Sequence, residues 1–276
     1  MKSNRFSFFV SRAGLILVGL CFFLAAAGCR NHHLNDRGDG LPPASCAPAP
    51  TETKPRPLSQ PAAVPPERIV LNLTTKPAVS QAVTWRTGGA VTKPQARIVE
   101  ASGLADFNDR ARSLEAVSEA IVLNDGRTVF HHAVIFADLN PDTLYAYQVG
   151  AAEGWSEWSH FRTACSGPAP LTFVYFGDPQ NELKAKCSRV FQAAFAKAPE
   201  ADFWHFIGDL VNNGDRDGEW EEFFYALGSF PRRLPLILLP GNHEYPDKRL
   251  VSGPDFRLTR LWRPHFTLPE NGPPGL

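Results

Sequence analysis

The sequence predicts two folded domains, an all-β sandwich followed by a layered α/β domain, because the spacing of apolar residues changes along the chain. Between residues 67 and 164, short segments of alternating apolar and polar residues are separated by turn signals. Between residues 170 and 276, apolar strands alternate with stretches of helical spacing. Three strands of this second domain end in polar residues, Asp178, Asp209 and Asn242.

Residues 1–29 have the pattern of an export signal. Three basic residues precede an apolar run at 13–27, which is too short for an ordinary membrane span. The run ends in Leu-Ala-Ala-Ala-Gly-Cys29, which resembles the cleavage and lipidation site of bacterial lipoproteins. We therefore expect a lipid on Cys29 that anchors the protein to a membrane in the bacterial periplasm or cell envelope. Cleavage by an ordinary signal peptidase, without a lipid, is the alternative.

Residues 30–66 are rich in Pro, Ala and polar residues, so we expect an extended linker between the signal and the first domain. Three cysteines follow Cys29, namely Cys46, Cys165 and Cys187, and no two of them are close in sequence. We expect unpaired thiols, although a bridge between Cys165 and Cys187 is an alternative.

Six strand patterns predict a sandwich of about 100 residues over 67–164. They lie at 69–73, 82–86, 96–100, 129–136, 144–149 and 160–163. Trp85 is expected in the core. The run from Leu139 to Tyr147 resembles a strand of a fibronectin type III domain, including a Tyr that closes a tyrosine corner. We therefore expect a fibronectin type III or immunoglobulin-like sandwich.

The motif Trp155-Ser156-Glu157-Trp158-Ser159 matches the Trp-Ser-x-Trp-Ser sequence of cytokine-receptor domains. We interpret it as surface packing, in which aromatic rings stack with Arg side chains on a sheet face.

The second domain has the order strand, helix, strand, helix, strand, which predicts parallel pairing. The strands are expected at 171–176, 203–207 and 234–239, and the helices carry apolar stripes over 183–195 and 220–227. Asp215 or Asp217 is expected to cap the second helix. A domain of this length would leave the strand at 234–239 with an unprotected side.

The polar residues at the three strand ends predict a ligand site. A Gly-Asp or Gly-Asn pair alone predicts only a turn. Here Gly177-Asp178, Gly208-Asp209 and Gly241-Asn242-His243-Glu244 follow three successive parallel strands. Because the carboxyl ends of parallel strands meet at one edge, where ligands bind in open α/β sheets, we expect these side chains to form a site.

These three blocks resemble, in kind and order, the motifs of the calcineurin-like metallophosphoesterases, and within them the purple acid phosphatase branch. The resemblance implies an α/β metallophosphoesterase sandwich that holds two divalent metal ions and hydrolyses a phosphoester. It implies that Asp178 binds the first metal, Asp209 bridges both, and Asn242 binds the second. His243 would stabilise the transition state and protonate the leaving group, and Glu244 would orient His243. Mn²⁺, Zn²⁺ or Fe²⁺ would suit these ligands.

The sequence departs from the family pattern at several positions. Gln180 stands where many metallophosphoesterases have a His, and Asn212 stands where purple acid phosphatases have a Tyr that ligates ferric iron. Both are kept as possible metal or outer-shell residues. The later family histidines, one isolated and two in a Gly-His-x-His block, have no counterpart, and we interpret His265 as structural.

Two interpretations follow from these departures. The first is an exported metal-dependent phosphoester hydrolase, acid phosphatase-like and C-terminally truncated, with weak or no activity. The second is a non-catalytic exported binding protein with a fibronectin-like module and a degenerate hydrolase half. The expected partners are a phosphoester substrate and, through the lipid, a membrane. Because 28 basic residues balance 28 acidic residues, no nucleic-acid partner is expected.

Overall fold

The computed structural model of the chain describes residues 9–11, 64–103, 106–246 and 257–271. Cys29, most of the predicted export signal and nearly all of the predicted linker lie outside these residues, so those predictions stay predictions. Residues 9–11 form strand β1 (Phe9–Ser11). Across the described part of the chain, no helix has the length and apolarity needed to cross a membrane.

The first domain is a β-sandwich, in which alternate side chains of each strand face a shared core. One sheet contains β2 (Glu67–Asn72), β3 (Gln81–Thr87), β6 (Val117–Val122) and β7 (Thr128–Phe136), in the order β2-β3-β7-β6. The other contains β4 (Gln95–Glu100), β5 (Arg112–Glu115), β8 (Leu144–Ala151) and β10 (Ser159–Arg162), in the order β10-β8-β4-β5. Strand β9 (Gly154–Trp155) pairs with β8, and helix α1 (Phe107–Arg110) precedes β5.

Four packing predictions for the sandwich and the thiols are confirmed. Trp85 is fully buried in the core. The hydroxyl of Tyr145 accepts a hydrogen bond from the backbone N–H of Asn140 at 2.9 Å, as in a tyrosine corner. The guanidinium of Arg97 lies 3.9 Å from the ring centroid of Trp155, which is the expected aromatic–Arg stacking. Cys165 and Cys187 are both free thiols.

The sequence patterns missed strands β5 and β6. No residue of either strand is buried, and Val117 is 79% exposed. An edge strand without a buried face has no alternation of apolar and polar residues, so periodicity gave no signal there.

The second domain has the predicted parallel strands. Its elements are β11 (Phe173–Phe176), a π-helical turn (Leu183–Cys187), α2 (Ser188–Lys197), β12 (Phe203–Ile207), α3 (Asp217–Leu227), a 3₁₀ turn (Phe230–Arg232), β13 (Leu236–Leu239), a second 3₁₀ turn (Asn242–Glu244) and α4 (Trp262–His265). Strand β12 pairs in parallel with β11 and with β13. Strands β11 and β13 both begin two residues later than predicted, at Phe173 and Leu236.

The core of the second domain lies on one face of this sheet. That face presents the fully or nearly fully buried side chains of Val174, Phe176, Trp204, Phe206, Leu236 and Leu238. Residues of α2 and α3, including Phe191 and Phe223, belong to the same cluster, as do Val70, Leu123 and Val129 of the sandwich. The two domains therefore share part of one core.

The expectation that the third strand of the α/β domain has an unprotected side is wrong at the start of that strand, although Leu239 at its end is 49% exposed. Strand β13 pairs in parallel with β2 through Leu236 and Asn72, so one sheet runs from the second domain into the sandwich. The buried side chain of Asn72 donates to the Leu236 carbonyl at 3.0 Å. At the opposite edge, β1 pairs antiparallel with β11.

A group of buried polar residues joins the domains, and we call it the junction cluster: Arg68, Arg86, His131, Asp217 and His265. Arg68 and Arg86 each place a guanidinium nitrogen 2.6 Å from the same Asp217 oxygen. Arg68 has φ of 52° at an irregularity in the pairing of β2 with β3, which turns its side chain toward α3. His131 packs edge-on against His265 with ring centroids 4.7 Å apart.

The prediction that Asp215 or Asp217 caps α3 is wrong. Arg216 occupies the N-cap position, and no side chain caps the helix there. Asp217 is the first residue of the helix, and its carboxylate binds the two arginines instead. Two charge-assisted bonds in a buried setting outweigh the modest gain from a cap.

Candidate functional site

The three predicted strand ends meet at one edge of the sheet. Asp178 follows β11, Asp209 follows β12, and Asn242 and His243 follow β13. Asp178 has φ of 50° and Asp209 has φ of 52°, so both adopt the left-handed conformation that few non-glycine residues accept. Such conformations concentrate at functional sites, where the surrounding structure holds them in place.

Two glycines allow the loops after β12 and β13 to touch backbone to backbone. A Cβ on Gly208, which has φ of 92°, would lie 2.6 Å from the Cα of Gly241. A Cβ on Gly241 would overlap the Oδ1 atom of Asp209. Neither position can carry a side chain without moving the loops apart, so glycine sets the closeness of Asp209 to the turn at Asn242.

The carboxyl groups of Asp178 and Asp209 form a like-charged pair. Partial burial, the negative charge of Asp209 and a hydrogen bond with its side chain raise the pKa of Asp178 above its usual value, and His243 opposes this effect. Asp209 is only 8% exposed, and its Oδ1 atom accepts the backbone N–H of His243 at 3.0 Å. A cation between the two carboxylates would relieve their repulsion.

The imidazole of His243 is held by the loop after β12. Its Nδ1 atom lies 2.7 Å from the carbonyl oxygen of Asn212. Because a carbonyl only accepts hydrogen bonds, Nδ1 carries a proton and donates it to Asn212. The Nε2 atom then faces Asp209, 4.0 Å from its Oδ2 atom. His243 therefore presents Nε2 to the site.

Gln180 and Asn212 tie the first two loops together. The end of the Gln180 amide that faces the carbonyls of Asp178 and Asp209 is assigned as its nitrogen, because both partners are acceptors, and it then donates to them at 2.9 Å and 2.8 Å. The side-chain nitrogen of Asn212 donates to the carbonyl of Gln180 at 2.8 Å. Both side chains thus bind backbone atoms of the loops that carry the aspartates.

The geometry gives Glu244 a role different from the expected one. We expected it to orient the His243 ring, but its two carboxylate oxygens accept four backbone N–H groups, from Asp209, Leu210, Val211 and Gly241. Its side chain is fully buried. Burial raises the pKa of Glu244, and the four backbone donors oppose that rise.

Two other histidines are structural. His265 lies in the short helix α4, buried inside the junction cluster, and stacks on Trp220 with ring centroids 4.9 Å apart. His205 is half-buried in β12 beside Tyr175, with its Nδ1 atom 3.3 Å from the Ile237 carbonyl.

The side chains at the sheet edge fit a divalent cation in kind but supply few ligands. Two carboxylates, an exposed Asn242 side chain and the Nε2 atom of His243 are oxygen and nitrogen donors of the type that Mn²⁺, Zn²⁺ and Fe²⁺ accept. Over the described ranges, no three His, Cys, Asp or Glu residues are grouped closely enough to hold a metal ion.

Comparison with protein families identifies both domains. Residues 66–163 match the purple acid phosphatase N-terminal domain, and residues 171–272 match the calcineurin-like phosphoesterase domain. The chain therefore carries a domain that matches the purple acid phosphatase N-terminal domain, followed by one that matches the calcineurin-like phosphoesterase domain. The matched order confirms the resemblance on which the sequence interpretation rested.

Individual relatives are acid phosphatases. Acid phosphatase type 7 of Danio rerio is 30% identical over 135 residues, which are 46% of this chain and 30% of that protein. The Homo sapiens protein of the same name is 26% identical over 185 residues, 65% of this chain and 40% of that protein. This chain thus spans well under half the length of these relatives.

A solved structure has the same fold. The purple acid phosphatase from seeds of yellow lupin (Lupinus luteus) superposes with a TM-score of 0.60 at 18% sequence identity, covering 76% of this chain and 42% of that chain. The β-sandwich followed by an α/β phosphoesterase domain is therefore the architecture of a known phosphatase.

Proposed function

We propose that this chain carries part of the active site of a metal-dependent phosphoester hydrolase. The observation that carries the proposal is the meeting of Asp178, Asp209 and His243 at one sheet edge, where a backbone carbonyl fixes the orientation of the imidazole. The match of residues 171–272 to the calcineurin-like phosphoesterase domain and the similarity to acid phosphatases support the same function.

In this proposal Asp178 would hold a first divalent cation, Asp209 would be shared by two cations, and Asn242 would offer its amide oxygen to the second. Bound cations would neutralise the phosphoryl oxygens and supply an activated water. Mn²⁺, Zn²⁺ and Fe²⁺ all suit these oxygen and nitrogen donors.

The protein's own contribution to proton transfer lies at His243. Because Nδ1 donates to Asn212, only Nε2 gains and releases a proton during the reaction. A protonated Nε2 would donate to the phosphoryl oxygens and then to the leaving oxygen of the substrate. The hydrogen bond from the His243 backbone to Asp209 keeps the ring beside the carboxylate pair.

The test is hydrolysis of p-nitrophenyl phosphate and of bis(p-nitrophenyl) phosphate by the full chain with Mn²⁺, Zn²⁺ or Fe²⁺ added singly. His243→Gln should lower kcat by about 10²- to 10⁴-fold, the usual contribution of a general acid. His160→Gln, an exposed His on the sandwich, is the matched control. Metal binding without hydrolysis of either ester would favour the alternative of a non-catalytic binding protein, which the small number of ligands supports.

We also propose that the protein is exported and anchored through a lipid on Cys29, in a bacterial periplasm or cell envelope. The basic start, the short apolar run and the small residues before Cys29 support this proposal. Labelled palmitate should be incorporated into the wild-type chain and not into Cys29→Ser. Equal labelling of the two would contradict it.

A further inference from the structure

Glu244 differs from the other residues of the site because each of its carboxylate oxygens accepts two backbone N–H groups. Its Oε2 atom accepts the N–H of Asp209 at 2.9 Å and that of Gly241 at 2.7 Å. Its Oε1 atom accepts the N–H of Leu210 at 2.8 Å and that of Val211 at 3.3 Å. A single buried carboxylate therefore satisfies donors of both loops.

We propose that Glu244 is a positioning residue, whose carboxylate fixes the loop of Asp209 against the turn that carries Asn242 and His243. This inference rests on the proposed metal site and adds a residue that the site requires although it contacts neither the substrate nor a cation. The Oε2 atom alone bridges from the loop after β12 to the turn after β13.

Two of the three candidate ligands, Asp209 and Asn242, are held by these bonds. The Asp209 N–H belongs to the residue proposed to lie between two cations, and the Gly241 N–H directly precedes Asn242. The reverse connection runs from the His243 N–H to the Asp209 side chain at 3.0 Å. The two loops are therefore joined twice. The buried Glu244 side chain binds backbone N–H groups of both, and the Asp209 side chain binds the backbone of the turn.

A carboxylate suits this position better than an amide does. All four partners are donors, and an ionised carboxylate is purely an acceptor at both of its oxygens. In a Glu244→Gln variant, the side-chain NH₂ group would face two backbone N–H groups, whichever way the amide is oriented. Those two backbone amides would lose their acceptor in a site without access to water.

The chain offers a matched control at the opposite end of the same sheet. Asp202 precedes β12, and its carboxylate accepts the backbone N–H of Thr172, just before β11, at 2.7 Å. Like Glu244 it joins the backbones of two neighbouring strands, but it lies at the amino ends of the strands, away from the candidate ligands. Asp202→Asn therefore tests the loss of a carboxylate without disturbing the site.

The first measurement is amide hydrogen exchange in the full chain without metal. In Glu244→Gln, the amides of Asp209, Leu210, Val211 and Gly241 should lose at least about tenfold in protection, while amides of β3 and β7 keep theirs. Asp202→Asn should leave those four amides unchanged. Unaltered protection in Glu244→Gln would overturn the inference, whether or not the protein binds metal.

The second measurement is a calorimetric titration of the same proteins with Mn²⁺ alone. Glu244→Gln should bind Mn²⁺ about 10- to 100-fold more weakly than wild type, the usual effect of disturbing a partner that orients a metal ligand. In Glu244→Ala, added formate should restore the affinity for Mn²⁺, because formate can replace the missing carboxylate. Chloride at the same concentration should not restore it. Equal affinity in wild type and Glu244→Gln would overturn the positioning role. Absence of Mn²⁺ binding by wild type would refute the proposed metal site, and the exchange measurement would still decide the role of Glu244.

Discussion

The candidate site and the junction cluster use the same residue types in opposite ways. Both bring aspartate and histidine together, but the junction cluster pairs Asp217 with two arginines and seals the group between domains. The candidate site instead sets Asp178 beside Asp209, and Asp178 is exposed. Buried opposite charges that satisfy each other are costly to separate, whereas like charges at an open edge favour binding of a cation.

The histidines show the same contrast. In the junction cluster, Arg68 donates to Nε2 of His265 at 3.0 Å, and Nδ1 of His265 contacts the Leu261 carbonyl. Both ring nitrogens are therefore occupied and the ring is neutral. In the candidate site Nδ1 of His243 donates to the Asn212 carbonyl, and Nε2 faces Asp209. The ring of His265 is buried, whereas the side chain of His243 is 21% exposed at the strand ends, where a substrate can reach it.

The largest expected effect comes from removing a charge in the candidate site. Asp209→Asn keeps an oxygen that can accept the His243 N–H but removes the carboxylate proposed to lie between two cations. Hydrolysis should fall by about 10³-fold or more, since charge neutralisation by bound cations contributes several kcal/mol. Urea unfolding without metal should change little. A loss of unfolding free energy as large as that expected for Asp217→Asn in the junction cluster would contradict the contrast between the two regions.

Removing the corresponding charge in the junction cluster should instead damage the fold. Burial raises the pKa of Asp217, but Arg68 and Arg86 outweigh it and lower the pKa overall. Asp217→Asn leaves two buried guanidinium groups without this partner, which should cost about 3–5 kcal/mol of unfolding free energy. Asp142→Asn, in an exposed pair with Arg162, should cost less than about 1 kcal/mol. Unfolding in urea measures both values.

Acid should destabilise the protein through His131 of the junction cluster. Burial, Arg86 and Arg68 lower the pKa of His131 to about 3, although Asp217 opposes them. The unfolded chain therefore binds a proton below pH 6.5 that the folded chain does not, so stability is complete above pH 6.5 and falls as the pH drops toward 3. Between pH 7.5 and 4.5, His131 alone should remove about 2–3 kcal/mol.

His131→Gln should reduce that pH dependence, and the exposed His160→Gln should not. The measurement is unfolding free energy by urea at four pH values. An equal pH slope in wild type and His131→Gln would show that His131 titrates normally in the folded chain.

The smallest effect should come from a residue outside both regions. Arg97 lies over Trp155 on the sandwich surface, so Arg97→Ala removes only a cation–π contact. Unfolding free energy should fall by about 0.5–1 kcal/mol, and hydrolysis should stay at the wild-type level. A change in hydrolysis would mean that the sandwich surface contributes to the reaction.

The sequence predicted the candidate site better than the junction. Asp178, Asp209 and Asn242 each follow an apolar strand directly, so local order was enough to place them at one edge. The junction cluster combines β2, β3, β7, α3 and α4, and its ion pairs span 149 and 131 residues of chain. Local spacing does not indicate contacts between residues so far apart in sequence. At Asp217 the local pattern indicates only a helix cap.

The contacts of Glu244 were also beyond sequence reasoning. The Gly-Asn-His-Glu block placed it beside His243, but its direction depends on backbone N–H groups of the loop after β12, about 35 residues earlier. Backbone donors carry no sequence signal. Strand β6 escaped prediction for a different reason, since it has no buried side chain.

The pairing of Asn72 with Leu236 bears on how such a protein can evolve. The sheet of the second domain continues into a strand of the first, so exchanging either domain alone would break this contact. Recombination that imports a different sandwich would succeed only if the donor offers an equivalent strand and amide at this position. The boundary between the two domains therefore divides a continuous sheet, and a cut there would expose the edge of β13.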